Sequence, residues 1–311
     1  MKKFKPNLFP NEEINLNEID LTDMAISKKL DGIRLIVGPD WDYVVSRTLK
    51  PIRNKIIQER LKPLVEYCKN KNIYFDGEIC SENLTYDEIK SCVMNENKQD
   101  IPECLVYNIF DLCDMENTPF YKRHEELTYE HIPNLDNKYI DIVTQHTLKN
   151  KTVDEIMKIT KEFIEQGYEG AILKNLNSYY KFGRYTIKEN MGYKIKEFHT
   201  SDAKIIDVFE RMKVKDSSEK SVNELGYSVT SKKKDDREGS GQIGGFWVES
   251  DEFEDFFKVP VKKCTEKERE DMWKKKDFYI GEWIEFTYQK EGSTKKAPRI
   301  PCFYRFRESK D

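Results

Sequence analysis

The chain has 311 residues, of which 38% are hydrophobic and 35% charged, proportions that suit one large or two ordinary globular domains with a heavily charged surface. Its 53 basic and 57 acidic residues leave a net charge of −4, which is not the signature of a generally basic nucleic-acid binder, so any polyanion site must be a local patch. The sequence has no apolar run of about 18 residues, no apolar stretch after its first lysines, and an odd seven cysteines without a CxxC pair; these features point away from a membrane span, a signal peptide, a disulfide framework and a zinc site, and toward the cytoplasm.

The first polar signal comes early. In "ISKKLDGIRLIVG", Ile26, Leu30, Ile33, Leu35, Ile36 and Val37 read as strand material around a tight polar turn. Charges inside such a run are costly unless paired or used. The plainest form of the pattern is a hairpin with a solvated turn. "YVVSRTL" and "IYFDGEI" follow as strands. "LTYDEIKSCVM" opens a helix, with Thr85 as N-cap and Glu88 three residues on. "ECLVYNIFDL" reads as a buried strand. "TVDEIMKITKEFIEQG" is a helix with a Thr152/Glu155 capping box, an apolar face of Ile156, Ile159, Phe163 and Ile164, and a stop at Gly167. "YEGAILKN" and "MGYKIKEF" are strands. After His199 come the strand "AKIIDVFERMKV", a polar loop around "LGYSVT", the strand "IGGFWVES", the helix "TEKEREDMWKKK" capped by Thr265 and Glu268, and the strands "EWIEFTYQK" and "PCFYRFRES". Several short strands with one helix suit a small, partly open β-barrel such as an OB-fold.

Four polar clusters lie in or beside the strands of the first part: Lys29 to Arg34, Asp76 with Glu78, Glu169 with Lys174, and Lys194 with Lys196. Residues two apart on a strand share a face, so Lys194 and Lys196 project together, as do Asp76 and Glu78. Converging, these groups form a cleft of ammonium groups and carboxylates, which suits a nucleoside triphosphate with a divalent metal. A lysine beside other cations loses its proton more easily and becomes a competent nucleophile. Lys29 fits that part, and Gly32 allows a close approach of backbone and ligand. Taken singly, Phe110 suits a core as well as a base platform, Glu78 a strand end, and Arg34 and Arg47 surface ion pairs. The run Lys232 to Lys234 suits a solvated loop.

"KLDGIR", "SRT", "FDGEI", "NIFDL", "EGAILK" and "YKIK" stand in the order of the motifs of the covalent nucleotidyltransferase superfamily. With "GSGQIGGFWVE", the "EREDMW" helix and "RIPCFYRFRESK", nearly the whole chain resembles the compact, phage-type ATP-dependent DNA ligases. The resemblance implies an α+β fold: a nucleotidyltransferase (ATP-grasp-like ligase) domain with antiparallel sheets and flanking helices over residues 1–199, then an OB-fold β-barrel over residues 200–311. It implies ATP as AMP donor, magnesium or manganese as metal, nicked double-stranded DNA as partner, and a monomer acting in the cytoplasm, phage-encoded or not. Lys29 is then the adenylated lysine and Lys28 its non-catalytic neighbour. Arg34, Glu78, Phe110, Lys194 and Lys196 bind the nucleotide. Arg307 and Lys310 reach the leaving pyrophosphate. Arg47 and Arg184 meet DNA phosphate. Glu78 and Glu169 serve the metal. Two positions depart from the family pattern: Ser27 stands where many ligases carry an acidic residue, and the terminal motif reads Arg307-Glu-Ser-Lys310. An RNA ligase and an mRNA capping guanylyltransferase are the alternatives within the same superfamily.

Overall fold

The computed structural model describes residues 4–12, 14–113, 118–215, 221–231, 233–290 and 292–307. They fall into two compact units, Met1–Lys196 with Glu224–Gly226 and Glu197–Asn223 with Tyr227–Asp311.

The first unit is built on two sheets. Its elements in chain order are β1 (Met24–Lys29), β2 (Ile33–Val37), β3 (Val45–Ser46), α1 (Lys55–Lys71), β4 (Tyr74–Cys80), α2 (Tyr86–Met94), β5 (Val106–Cys113), α3 (Phe120–Glu126), β6 (Ile140–Ile142), β7 (His146–Thr147), α4 (Val153–Glu165), β8 (Gly170–Asn175) and β9 (Gly192–Lys196). One sheet has the order β7-β1-β8-β9, the other β3-β2-β4-β5-β6, and β5 with β6 is the parallel pair. The opening hairpin expected from the sequence is therefore overturned. β1 and β2 belong to different sheets, and the chain crosses between them at Leu30, Asp31 and Gly32. Gly32 is required there by the protein itself: a Cβ would stand 2.3 Å from the Ile79 carbonyl oxygen.

The helices follow their caps. α2 and α4 start at Thr85 and Thr152 with complete capping boxes. α1 is an addition to the sequence reading. Asn54 caps it, and Ile57, Leu61, Leu64, Val65 and Cys68 form its buried stripe although Pro63 stands in its middle. That stripe packs with Leu35, Phe75, Tyr107 and Ile109 under the five-stranded sheet. α4 covers the four-stranded sheet through Ile156 and Phe163 against Ile26, Leu173 and Tyr193. The strand expected over "YVVSRTL" shrinks to Val45 and Ser46, because the chain turns at Leu49, whose φ is +62°, and Leu49 N–H donates to Ser46 O at 2.8 Å.

The second unit contains β10 (His199–Val214), the short pair β11 (Ser221–Val222) and β12 (Ser228–Val229), β13 (Arg237–Ser250), β14 (Phe253–Pro260), α5 (Glu266–Lys274), β15 (Trp283–Gln289) and β16 (Arg299–Arg307). Five of these strands form one antiparallel sheet of order β14-β13-β10-β15-β16 over a core of Ile205, Phe246, Val248, Ile284 and Phe286. Among the described residues no ladder joins β14 to β16, so the expected barrel is met as a five-stranded sheet and not as a closed barrel.

Candidate functional site

Alternation along β1 divides its lysines between two faces. Met24 and Ile26 join the apolar core under α4. Lys28 shares their face, where its Nζ donates to the Tyr168 hydroxyl at 2.8 Å and stands 4.1 Å from that ring's centroid. Ser27 and Lys29 take the opposite face. The ladders set Lys29 beside Gly170, and Gly170 beside Lys196. Glu169, just ahead of β8 and only 7% exposed, bridges the two lysines, one carboxylate oxygen to each Nζ.

The five-stranded sheet supplies a second wall. On β2, Arg34 lies opposite Glu78 of β4 and makes a fork to Asp76, Nε to Oδ1 at 2.8 Å and Nη2 to Oδ2 at 2.5 Å. Asp76 is fully buried and also accepts from the Tyr180 hydroxyl at 2.6 Å. Glu78 accepts the Gly32 N–H at 2.8 Å. The β4–β5 ladder then slips. Asp76 pairs with Asp111 and Gly77 with Ile109, which leaves Phe110 as the extra residue of a bulge. Bulges re-aim side chains, and Phe110 stays partly exposed, with the Arg34 guanidinium carbon 5.3 Å from its ring centroid. Behind it Asp111 is buried and takes two cations, Arg123 Nε at 2.9 Å and Lys174 Nζ at 2.5 Å.

Between the walls is a cavity of about 550 Å³ lined by Lys29, Arg34, Glu78, Phe110 and Lys194, with Arg47 and Arg184 also on its lining. Glu169 and Lys196 are joined to that lining through Lys29. Arg47 lies exposed in the turn after β3. Arg184 donates to Phe9 O at 2.5 Å and Asn11 Oδ1 at 2.8 Å, so the amino-terminal segment holds it in place. Arg307 belongs to the second unit, where its Nε donates to Asp202 Oδ1 at 3.0 Å. Lys310 lies outside the described residues, as does Lys232 of the charge run.

The two carboxylates near Lys29 are driven apart. Burial raises Glu78 above the ordinary range, against the pull of Lys29, the Gly32 N–H and Arg34. Burial would also raise Glu169, but Lys29 and Lys196 outweigh it and hold the carboxyl low. Among the lysines, Lys194 is lowered by burial and by the charges of Lys196, Lys29 and Arg184. The cation effect expected from sequence operates at Lys194.

Among the described residues, no group of three or more His, Cys, Asp or Glu is placed to hold a metal alone. Glu78 and Glu169 are close enough to act on each other's ionisation. One or two carboxylates are what magnesium takes when substrate phosphates complete its shell, so the donor set fits a metal that arrives with a phosphate ligand. Sequence reasoning left Asp111 and Arg123 without a role and placed Lys174 only among the polar clusters of the cleft. Arg123 carries no local signal, because an arginine in "YKRHEE" looks like a solvated helix residue until the fold buries it.

A family model described as ATP dependent DNA ligase domain matches residues 8–196. The DNA ligase of African swine fever virus (isolate Pig/Kenya/KEN-50/1950) is 27% identical over 206 residues, 63% of this chain and 47% of that protein. The chain spans about half the length of the curated relatives it matches. A solved structure of Chlorella virus DNA ligase-adenylate is 26% identical, covers 99% of this chain and 100% of that one, and has a TM-score of 0.53. A structure from a study of Lig E DNA ligases is 21% identical, covers 97% of this chain and 99% of that one, and gives a TM-score of 0.68, a likeness of fold.

Proposed function

We propose, from the premise that this chain belongs to the ATP-dependent DNA ligase family, that it seals 5′-phosphate/3′-hydroxyl nicks in duplex DNA with ATP as AMP donor. The observation that carries the reading is the setting of Lys29, on the cavity face of β1 and bridged by Glu169 to Lys196, while Lys28 turns to the opposite face. In the first step the deprotonated Lys29 Nζ attacks the α-phosphorus; an N–P bond forms, the bond to the bridging oxygen breaks, and pyrophosphate leaves. The DNA 5′-phosphate then displaces the lysine, and the 3′-hydroxyl displaces AMP. Lys194 and Lys196 hold the α-phosphate, where fixed cations meet the charge that develops in each displacement. Phe110 offers a stacking face to the base and Arg34 reaches the ribose or the nick. Arg47 and Arg184 take DNA phosphate, which positions without reading sequence. Glu78 and Glu169 would hold magnesium or manganese together with phosphate oxygens, and that ion supplies charge neutralisation at phosphorus when bound. Residues 1–199 act as the adenylation domain, and residues 200–311 as an OB-fold domain.

The test is sealing of nicked DNA, nicked RNA and hybrid duplexes, with labelled ATP or GTP as donor. Sealing of nicked DNA with ATP is the expected result. A preference for RNA strands, or an adduct formed with GTP alone, would replace the reading by an RNA ligase or a capping guanylyltransferase.

Glu169→Ala and Lys196→Ala are each expected to slow adduct formation, or sealing of pre-adenylated nicks, by at least roughly tenfold, since one preorganised charge contact commonly supplies about 2 kcal/mol or more of transition-state stabilisation. Near-normal rates in both folded variants would remove these residues from the site. Arg307→Ala combined with Lys310→Ala is expected to cripple reaction with ATP and largely spare sealing of a pre-adenylated nick, because pyrophosphate takes part only in the first step. Equal loss of both steps would assign the pair to structure or DNA binding.

A further inference from the structure

Gln145 stands next to β7. The β1–β7 ladder pairs Ala25 with Thr147 and Ile26 with His146, and the next position in that register sets Gln145 opposite Ser27. Across β1, Ser27 pairs with Ile172, and Ile172 with Lys194. Gln145, Ser27, Ile172 and Lys194 thus form one row across the four-stranded sheet, and all of them line the cavity. Strands lie about 4.8 Å apart, so three spacings separate the ends of the row by roughly 14 Å. On the nucleotide-transfer reading the phosphate belongs with the ammonium group at the lysine end, which leaves the glutamine end of the row for the base.

The carboxamide is set one way round. Its Nε2 donates to Val143 O at 3.3 Å, while its Oε1 is buried without a partner. Among the described residues that line this cavity, it is the one buried side-chain acceptor left so. A buried acceptor without a donor bears the full cost of its desolvation. The purines differ at the matching position: adenine carries an amine donor at C6, and guanine an oxygen acceptor. Ser27 cannot make that distinction, because a hydroxyl both donates and accepts.

We propose that Gln145 is a specificity-determining residue that accepts a hydrogen bond from the 6-amino group of adenine and so selects ATP over GTP. The inference rests on the nucleotide-transfer reading above.

The experiment uses the full chain and three nucleotides: ATP, GTP and purine riboside 5′-triphosphate, which is ATP without the 6-amine. The readout is the nucleotide concentration that gives half-maximal formation of the covalent adduct. The native chain is expected to prefer ATP over the purine analogue by about tenfold, the factor equivalent to a hydrogen bond of ~1.4 kcal/mol. Gln145→Leu should weaken ATP by about that factor and leave the purine analogue within about twofold, so that the preference vanishes. Gln145→Glu, which keeps an acceptor, should retain it. An unchanged ATP-to-purine ratio in Gln145→Leu, with adduct still forming, overturns this inference and leaves the ligase reading intact. A ratio near one in the native chain overturns it without recourse to any variant. Failure of the native chain to form an adduct with ATP overturns the ligase reading and this inference together.

Discussion

Lys29→Ala is expected to abolish the covalent nucleotide adduct, while Lys28→Ala keeps most of it. The two residues are chain neighbours with the same side chain, so composition and overall charge change equally in the two variants. What differs is the face of β1. Both residues border the cavity, but it is the Lys29 Nζ that meets Glu169. Lys28 Nζ is engaged with the Tyr168 hydroxyl, which in turn donates to Glu82. On the proposed reading, removing Lys29 leaves no group to carry AMP, and the loss should be complete by mass spectrometry of the intact chain. Removing Lys28 deletes a part-buried hydrogen bond and a ring contact to Tyr168, each worth roughly 0.5–1.5 kcal/mol of stability, and leaves the Lys29 Nζ in place. The opposite outcome, an adduct in Lys29→Ala and none in Lys28→Ala, would mean that the strand register is wrong by one residue, which in a sheet reverses every side chain.

Asp111→Ala should be among the most destabilising single changes in the first unit. Arg123 and Asp111 are almost fully buried and Lys174 nearly so, and the carboxylate neutralises both cations. Arg123 also donates to Ser178 O at 2.9 Å, so the cluster ties β5 and β8 to the loop that follows β8. Breaking a buried pair by removing one partner commonly costs about 3–5 kcal/mol, because the remaining charge has no water to return to. For a unit of this size that corresponds to a fall in Tm of roughly 6–20 °C. Arg123→Lys should cost less, since it keeps the charge and loses the fork. The pH dependence has a definite sign. Burial would raise Asp111, but Lys174 and Arg123 outweigh it, so the native carboxyl titrates below its ordinary value. The stability it contributes is therefore present above about pH 4, the unfolded value, and is lost as pH falls through the lower native one. Glu169 acts in the same direction, and Glu78, raised by burial, in the opposite one. Thermal melts between pH 7 and pH 3 should show a shallower acid slope in Asp111→Ala than in the native chain. A variant that melts with the native protein at both ends of that range would deny the cluster a stabilising role.

Much of this molecule was legible along the chain. The helix starts at Thr85, Thr152 and Thr265 rest on contacts within four residues, so each sequence window contained its own reason, and all three capping boxes form. The alternation that separates Lys28 from Lys29 is likewise local, because a strand's period is fixed by its backbone. So is the pairing of Lys194 with Lys196 on one side of β9. Other features depended on partners far along the chain. The turn after Lys29 looks like a hairpin because a hairpin is the shortest way to satisfy two adjacent strands. Here β8 and β7 take the edges of β1 while β3 and β4 take those of β2, and the chain crosses between sheets instead. Phe110 is directed into the cavity by a one-residue slip against β4, which depends on how two strands some thirty residues apart settle their register. Arg123 is a buried ion-pair partner only because Asp111, Ser178 and Lys174 arrive from other elements. Gln145 acquires its place opposite Ser27 only once β7 pairs with β1. The sequence by itself determined which residues could carry the chemistry and, where a strand runs without a bulge, which face each would take, since propensity, capping and periodicity act over a few residues. The tertiary structure alone decided which of those faces meet, because ladders, bulges and buried charge pairs are settled between segments that no local pattern connects.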